Sequence, residues 1–198
     1  MKLYYSGNSP YARRARIAAR VSEFPVEEID VSPLQAENHL LLKHGSGVKV
    51  PGLKTDSGTY LCESLIITNY LNRQAGGKLM PSEVASAEAA LELEGIGSLL
   101  MDSLFVRTME NLRSLGETSP GLIKKEAARA SRCYDALDIR LSGHSATLHL
   151  GTIAAVSSLG YADWRHPDDD WRQGREGLKD WFDEMMQNPA VAETKPNF

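Results

Sequence analysis

Residues 1–75 alternate short apolar runs with longer segments in which apolar side chains recur every three or four positions. The short runs are typical of strands and the longer segments of amphipathic helices. The predicted strands are residues 3–5, 26–31, 50–53 and 59–62, and the predicted helices are residues 11–21, 35–43 and 63–73. Asp56-Ser57-Gly58 predicts a turn that joins the last two strands into a hairpin.

The order strand, helix, strand, helix, hairpin, helix predicts a thioredoxin-like α/β domain over residues 1–75. Its first two strands are joined by a crossover and should pair in parallel, whereas the hairpin strands pair antiparallel. We expect the last of these helices to bury one apolar face, formed by Leu65, Ile66, Tyr70 and Leu71.

The composition changes after Gln74, where residues 76–84 contain glycines and a Pro-Ser pair and predict a linker. Residues 85–198 have no strand pattern and predict an all-helical bundle domain. The predicted helices are residues 83–115, 122–141, 150–161 and 177–186. The side chains of the first that we expect to be buried include Leu91, Ile96, Leu99, Leu100 and Leu104.

Composition and charge reduce the number of functional classes to which the chain could belong. The net charge is −4, which favours neither a nucleic-acid partner nor an anionic membrane. No apolar stretch is long enough to span a bilayer, and the first residues do not resemble a signal peptide. Two cysteines, Cys62 and Cys133, do not make a disulfide framework. We therefore expect a cytoplasmic protein, and no cluster of suitable side chains indicates a metal site.

The most informative segment is Ser9-Pro10-Tyr11-Ala12, which places a hydroxyl where the first helix begins. A helix N-terminus carries unpaired N–H groups and about half a positive charge, so it favours an anion such as a thiolate. Lowering a thiol pKa by two units needs about 2.7 kcal/mol. A hydrogen bond to a charged group contributes about 1.5–3 kcal/mol and the helix end about 0.3–1 kcal/mol. Ser9 and the helix are therefore sufficient to stabilise the thiolate of a bound thiol.

The whole chain resembles the cytosolic glutathione S-transferases, specifically bacterial members with a serine in the N-terminal motif. The residues that carry the resemblance are Ser9-Pro10-Tyr11, Val50-Pro51, Glu63-Ser64, Leu159-Gly160-Tyr161, Trp164-Arg165 and Asn188-Pro189. Ser9 occupies the place of the first cysteine in the Cys-Pro-Tyr-Cys turn of glutaredoxins. The resemblance implies a glutathione transferase fold, a thioredoxin-like domain followed by a helical one, and a homodimer.

The resemblance also implies a glutathione site. The Val50-Pro51 peptide is expected to be cis, and Val50 is expected to bond the cysteinyl backbone of glutathione. Glu63 and Ser64 would bind the γ-glutamyl end, with help from Lys49. His39 or Lys43 would reach the glycyl carboxylate. Ser9 would hold the thiolate, and the alternatives are Tyr5, where other members place a catalytic tyrosine, and Ser6 in the turn.

The implied reaction is attack of the glutathione thiolate on a small hydrophobic electrophile, which is held in the cleft between the domains. Such a reaction serves detoxification. It uses glutathione as co-substrate and needs no metal. Its pocket would be lined by Tyr11, Met101, Leu104, Phe105, Thr108 and Met109. Alternative hypotheses are a non-catalytic binding or regulatory protein of the same fold, or a glutathione-dependent isomerase, lyase or peroxidase.

One departure from the family pattern concerns the buried helix predicted from residue 150. Its usual Ser/Thr-x-x-Asp capping box is replaced by His149 and Thr152. The cap is therefore lost or rebuilt with the help of Thr147, and the pattern predicts that Thr152→Asp stabilises the protein.

Overall fold

The computed structural model describes residues 1–34, 39–44, 47–114 and 116–196. Its sheet has four strands in the order β2-β1-β3-β4. The strands are β1 (Lys2–Tyr5), β2 (Glu27–Asp30), β3 (Gly52–Lys54) and β4 (Tyr60–Cys62). As predicted, β1 pairs in parallel with β2, and the hairpin strands β3 and β4 pair antiparallel. Strand β3 also pairs antiparallel with β1.

Successive side chains of β1 point to opposite faces of the sheet, so the sheet has two apolar faces. Leu3 belongs to the main core, in which the sheet packs against α1 (Pro10–Val21) and α2 (Ser64–Gln74). Tyr4 packs on the opposite face with Val31 and Leu41 in a smaller cluster. This sheet and its two helices form the thioredoxin-like part of the molecule.

Five helices follow. They are α3 (Val84–Asn111), α4 (Pro120–Leu141), α5 (Leu150–Arg165), α6 (Glu176–Met185) and α7 (Pro189–Ala192). Residues 150–162 of α5 are all buried, and α5 packs against α3 and against α1. Helices α3 and α5 approach closely at Gly97. A Cβ at this position would lie only 2.8 Å from the carbonyl carbon of Ala154, so the contact needs a glycine.

Several expectations about local structure need correction. The segment 40–43 is a single 3₁₀ turn, while residues 35–38 of the helix predicted there lie outside the described residues. Leu65 and Ile66 are exposed, and the buried face of α2 is formed by Ser64, Ile67, Thr68 and Leu71. Leu91 and Leu99 of α3 are also exposed rather than buried.

The N-terminus of α5 keeps half of the reciprocal cap. The hydroxyl of Thr152 accepts a hydrogen bond of 2.9 Å from the backbone N–H of His149. The same hydroxyl donates to the carbonyl oxygen of Thr147 at 2.8 Å. Thr152 thus both accepts and donates, and the contribution of Thr147 comes from its carbonyl group. Among the described helices, none is long and apolar enough to cross a membrane.

Candidate functional site

A cavity of about 700 Å³ lies where the thioredoxin-like part meets α3 and α5. One wall comes from the loops that follow β1 and β2, the segment before β3 and the start of α2. The residues on this wall are Asn8, Ser9, Tyr11, Leu34, Val48, Lys49, Val50, Pro51, Cys62, Glu63 and Ser64. The helical wall is formed by Asp102, Phe105, Thr108, Met109, Leu112, Tyr161 and Arg165.

Ser9 is the N-cap of α1, and its extended backbone places the hydroxyl at the first turn. The hydroxyl oxygen accepts a hydrogen bond of 3.2 Å from the backbone N–H of Ala12. Pro10, which has no N–H, occupies the first helical position, where none is needed. Among the described residues, no acceptor takes the hydroxyl hydrogen of Ser9. The hydroxyl can therefore donate to a bound anion while it continues to cap the helix.

The segment before β3 brings backbone groups to the same cavity. The Val50-Pro51 peptide is cis, as the resemblance implied. Lys49 is exposed beside it, and Val50 packs against the smaller core cluster. A cis Ser32-Pro33 peptide, which the sequence did not indicate, lies in the loop after β2. Pro51 is the residue before β3, so its missing N–H leaves no position of the strand pairing without a donor.

The start of α2 supplies the polar end of this wall. Glu63 has φ 70° and ψ 121°, a conformation that a non-glycine residue rarely adopts. Such strain is concentrated at functional sites, where the surroundings hold the backbone in place. Ser64 follows at the first helical position and is 6% exposed. A hydroxyl and free N–H groups at a helix N-terminus suit a carboxylate, and the Glu63 carboxylate suits an ammonium group.

The helical wall is apolar near α1. The ring of Phe105 meets the ring of Tyr11 edge to face, with centroids 5.5 Å apart. Met109 and Leu112 continue this surface along α3 and are substantially exposed. The hydroxyl of Tyr11 donates to Oδ1 of Asp102 at 2.6 Å. Burial, reinforced by this carboxylate, raises the pKa of Tyr11 above its ordinary value, so the phenol stays protonated.

Four predicted site residues lie elsewhere. The ring of Tyr5 is covered by the Arg16 guanidinium, 4.0 Å from its centroid, and does not line the cavity. His39 is buried, with Nε2 donating to the Val31 carbonyl at 2.7 Å and Nδ1 accepting from the Leu41 N–H at 3.2 Å. Met101 and Leu104 are fully buried in the helical bundle.

The two lesser candidates also lie outside the cavity lining. The hydroxyl of Ser6 donates to Asn8 at 2.6 Å, and Lys43 is exposed at the end of the 3₁₀ turn. Conversely, the sequence interpretation missed Asp102, Tyr161 and Arg165 as cavity residues. The sequence did contain a signal for Asp102. It lies three positions before Phe105 and seven before Met109, so the three side chains share one face of the helix.

Possible metal ligands and the two cysteines bear on the chemistry of the site. Across the described part of the chain, no three His, Cys, Asp or Glu side chains come together as a candidate metal site. The exposed thiol of Cys62 lines the cavity, whereas Cys133 is buried in α4, where burial raises its pKa.

Comparison with known proteins shows which family this chain resembles. A family model described as "Glutathione S-transferase, N-terminal domain" matches residues 3–79. An Escherichia coli (strain K12) protein, described as "Uncharacterized GST-like protein YibF", is 25% identical in an alignment of 200 positions that covers 99% of this chain and 98% of that protein. In sequence and in structure, this chain is thus similar to the glutathione S-transferases.

Solved glutathione S-transferases share its fold over the full length. The enzyme from Methylobacillus flagellatus KT, with glutathione bound, has a TM-score of 0.90 and 26% identity over 99% of each chain. That from Methylobacterium radiotolerans JCM 2831, in complex with glutathione sulfonate, has a TM-score of 0.89 at 24% identity, covering 100% of this chain and 95% of its own. The predicted fold class, a thioredoxin-like part followed by a helical part, is thereby confirmed.

Proposed function

We propose that this protein is a glutathione S-transferase that uses the hydroxyl of Ser9 to stabilise the glutathione thiolate. The observation that carries the proposal is that Ser9, with an uncommitted hydroxyl hydrogen, lines the same cavity as the cis Val50-Pro51 peptide and the Glu63-Ser64 pair. The match of residues 3–79 to the glutathione S-transferase N-terminal model and the glutathione bound to the Methylobacillus protein support glutathione as the ligand of this wall.

Glutathione would lie along the thioredoxin-like wall. Its γ-glutamyl carboxylate would meet Ser64 and the N–H groups that open α2, and its ammonium group would meet Glu63. Its cysteinyl backbone would pair with Val50, and Lys49 would add a positive charge beside the peptide. The predicted role of His39 is dropped from the proposal, because both of its ring nitrogens have intramolecular partners.

The chemistry needs an ionised sulfur. A cysteine-like thiol with a pKa of about 8.5 is only about 3% ionised at pH 7. Donation from Ser9 and the positive end of α1 stabilise the ionised form, and this raises the thiolate fraction at neutral pH. The sulfur then attacks an electrophilic carbon, a carbon–sulfur bond forms, and the leaving group departs with its electron pair. The thiol proton passes to solvent when the thiolate forms.

The electrophile would rest on the helical wall, where Phe105, Met109 and Leu112 offer apolar surface next to the ring of Tyr11. The proposal retains Phe105, Thr108 and Tyr11 from the sequence prediction, and it excludes Met101 and Leu104 because they are inaccessible. Domain limits of 1–75 and 85–198, with a linker between, remain part of the proposal.

The proposal includes a cytoplasmic location and a homodimer. The large apolar side chains that are exposed on α2 and α3 outside the cavity lining include Leu65, Ile66, Leu91 and Leu99. A second copy of the chain would remove this surface from water, which is the usual reason for such exposure in a protein with a well-packed core. Sedimentation of the wild-type protein and of Ile66→Asp tests this part, and a monomeric wild type contradicts it.

The test of the catalytic claim compares two serines that both cap helices. Ser9→Ala should lower kcat/KM for conjugation of glutathione about tenfold to a hundredfold, because one hydrogen bond to a charged sulfur is lost. Ser119, which caps α4 and accepts from the Leu122 N–H at 3.4 Å, is the matched control. Ser119→Ala should lower thermal stability similarly but leave kcat/KM unchanged. An unchanged rate in Ser9→Ala would end the case for this residue.

A further inference from the structure

Arg165 is the only cation that the helical wall presents to the cavity, counted over the described residues that line it. It is the last residue of α5 and is partly buried. Its guanidinium carbon lies 3.6 Å from the centroid of the Trp164 ring, a cation–π contact that fixes the side chain against the helix. The guanidinium also hydrogen-bonds to Tyr161, another cavity residue.

The charge of Arg165 has no acidic partner within 4.0 Å among the described residues. Two other arginines of the helical part, the buried Arg107 and the partly buried Arg172, do have one. Arg107 forms two bonds with the carboxylate of Asp169, at 2.7 and 2.6 Å. Arg172 binds both oxygens of Asp163. In addition, Nε of Arg165 is buried without a hydrogen-bond partner.

The acidic groups of the cavity do not compensate this charge. The carboxylate of Asp102 accepts the hydroxyl of Tyr11 and forms no ion pair with Arg165. Glu63 stands on the opposite wall, at the start of α2. An arginine fork with unused donors matches a planar carboxylate better than any neutral group. The apolar surface of Phe105, Met109 and Leu112 lies on the same wall.

We propose that Arg165 selects electrophiles that carry a carboxylate, so that the second substrate of this protein is an apolar molecule with an acidic group. This inference rests on the proposed transferase function and specifies its second substrate. The carboxylate would bind to the guanidinium while the apolar body lies on the α3 surface. Arg165 is a specificity residue in this account, since it touches a part of the substrate that does not react.

The test uses two electrophiles that differ in one group. They are a chloronitrobenzoate and the corresponding chloronitrobenzamide, with chloride and nitro groups at the same ring positions. In both, the glutathione sulfur replaces chloride on the ring, and chloride leaves with its electron pair. Rates are divided by the uncatalysed rate of each compound, so that intrinsic reactivity cancels. We expect the wild-type protein to favour the benzoate at least tenfold in kcat/KM.

Three variants separate recognition from structure. Arg165→Gln should lower kcat/KM for the benzoate about tenfold to a hundredfold and change that for the benzamide less than threefold. Arg165→Lys keeps the charge and should restore part of the preference. Arg132→Gln removes an exposed arginine of α4 that lies outside the cavity lining, and it should leave the preference unchanged. If Arg165→Gln slows both electrophiles equally, the residue only supports Tyr161 and the proposal is wrong.

Calorimetry with the two purified glutathione conjugates gives a readout that does not need turnover. Wild-type protein should bind the carboxylate conjugate at least tenfold more tightly than the carboxamide conjugate, and Arg165→Gln should bind them equally. Equal affinities in the wild type, with normal binding of glutathione, would overturn the role of Arg165 and leave the transferase proposal standing. Failure to bind glutathione and both conjugates would instead overturn both proposals.

Discussion

The hydroxyl of Tyr11 donates a 2.6 Å hydrogen bond to the carboxylate of Asp102, which joins α1 of the thioredoxin-like part to α3 of the helical part. A tyrosine hydroxyl has one hydrogen to donate, and burial raises its pKa so that this hydrogen is retained. Tyr11 is therefore committed to Asp102, although it stands two residues from Ser9 in the cavity wall. The commitment leaves Ser9 as the hydroxyl donor available to a sulfur at the start of α1.

Tyr11→Phe tests this division of roles. The variant loses the bond to Asp102 but keeps the ring that contacts Phe105. We expect the affinity for glutathione to change less than threefold, while KM for the electrophile changes more, because the two walls lose a link beside the apolar surface. Asp102→Asn, whose amide oxygen can still accept, should have a smaller effect. A large fall in the thiolate fraction of bound glutathione in Tyr11→Phe would show that Tyr11 is the sulfur partner.

A second link between α1 and α3 is buried. The guanidinium of Arg14 binds the carboxylate of Glu94 and donates to Ser98 at 3.0 Å, and both charged side chains are at most 7% exposed. Glu94→Gln should lower the free energy of unfolding by about 3–5 kcal/mol, because the Arg14 charge stays buried without its partner. Glu92→Gln breaks the exposed pair with Arg140 and serves as the control. Chemical denaturation should show the lower free energy of unfolding in Glu94→Gln and no measurable change in Glu92→Gln.

The cap of α5 reverses a prediction from the sequence. The pattern predicted that Thr152→Asp stabilises the protein, but the Thr152 hydroxyl donates to Thr147 and is almost fully buried. An ionised aspartate cannot donate, so we now expect Thr152→Asp to lower stability by about 1–2 kcal/mol. Thr152→Ser keeps the hydroxyl and should retain most of the stability. A higher melting temperature for Thr152→Asp would restore the original prediction.

Two histidines, the partly buried His149 and the buried His166, make stability depend on pH. Burial lowers the pKa of both His149 and His166 below the ordinary value of 6.5. At pH values below 6.5 the unfolded chain binds more protons at these residues than the folded one, so stability is complete above that pH and falls as the pH drops towards the folded pKa. The melting temperature should therefore decrease between about pH 7 and 5. The decrease should be smaller in His166→Gln, and an equal slope in both proteins would contradict this assignment.

The order of strands and helices along residues 1–75 and the α1 cap could be predicted because each depends on short-range chemistry, whereas the cis Val50-Pro51 peptide was implied by the family resemblance. A serine followed by proline at a helix start, and a proline before a strand, leave few conformations. The sequence could not predict the role of His39, because both of its ring nitrogens bind backbone groups that only the folded chain brings together.

The prediction of which residues line the helical wall was partly wrong for a geometric reason. Helix α3 has apolar side chains on two faces, with Leu104 directed into the bundle and Phe105 directed into the cavity. One position along a helix is a rotation of about 100°, so an error of one residue moves a side chain from one face to the other. The exposed Leu65 and Leu99 were misassigned similarly, because hydrophobicity alone does not tell a core face from a face that another molecule would cover.

The central claim is that Ser9 holds the glutathione sulfur as a thiolate, and difference absorbance of the thiolate during a pH titration of bound glutathione tests it most directly. We predict that the thiol pKa in the wild-type complex lies at least one unit below its value of about 8.5 in water, and that Ser9→Ala returns it most of the way. Ser119→Ala should leave it unchanged. An unshifted pKa in the wild-type complex, or an equal shift in Ser9→Ala, would contradict the account.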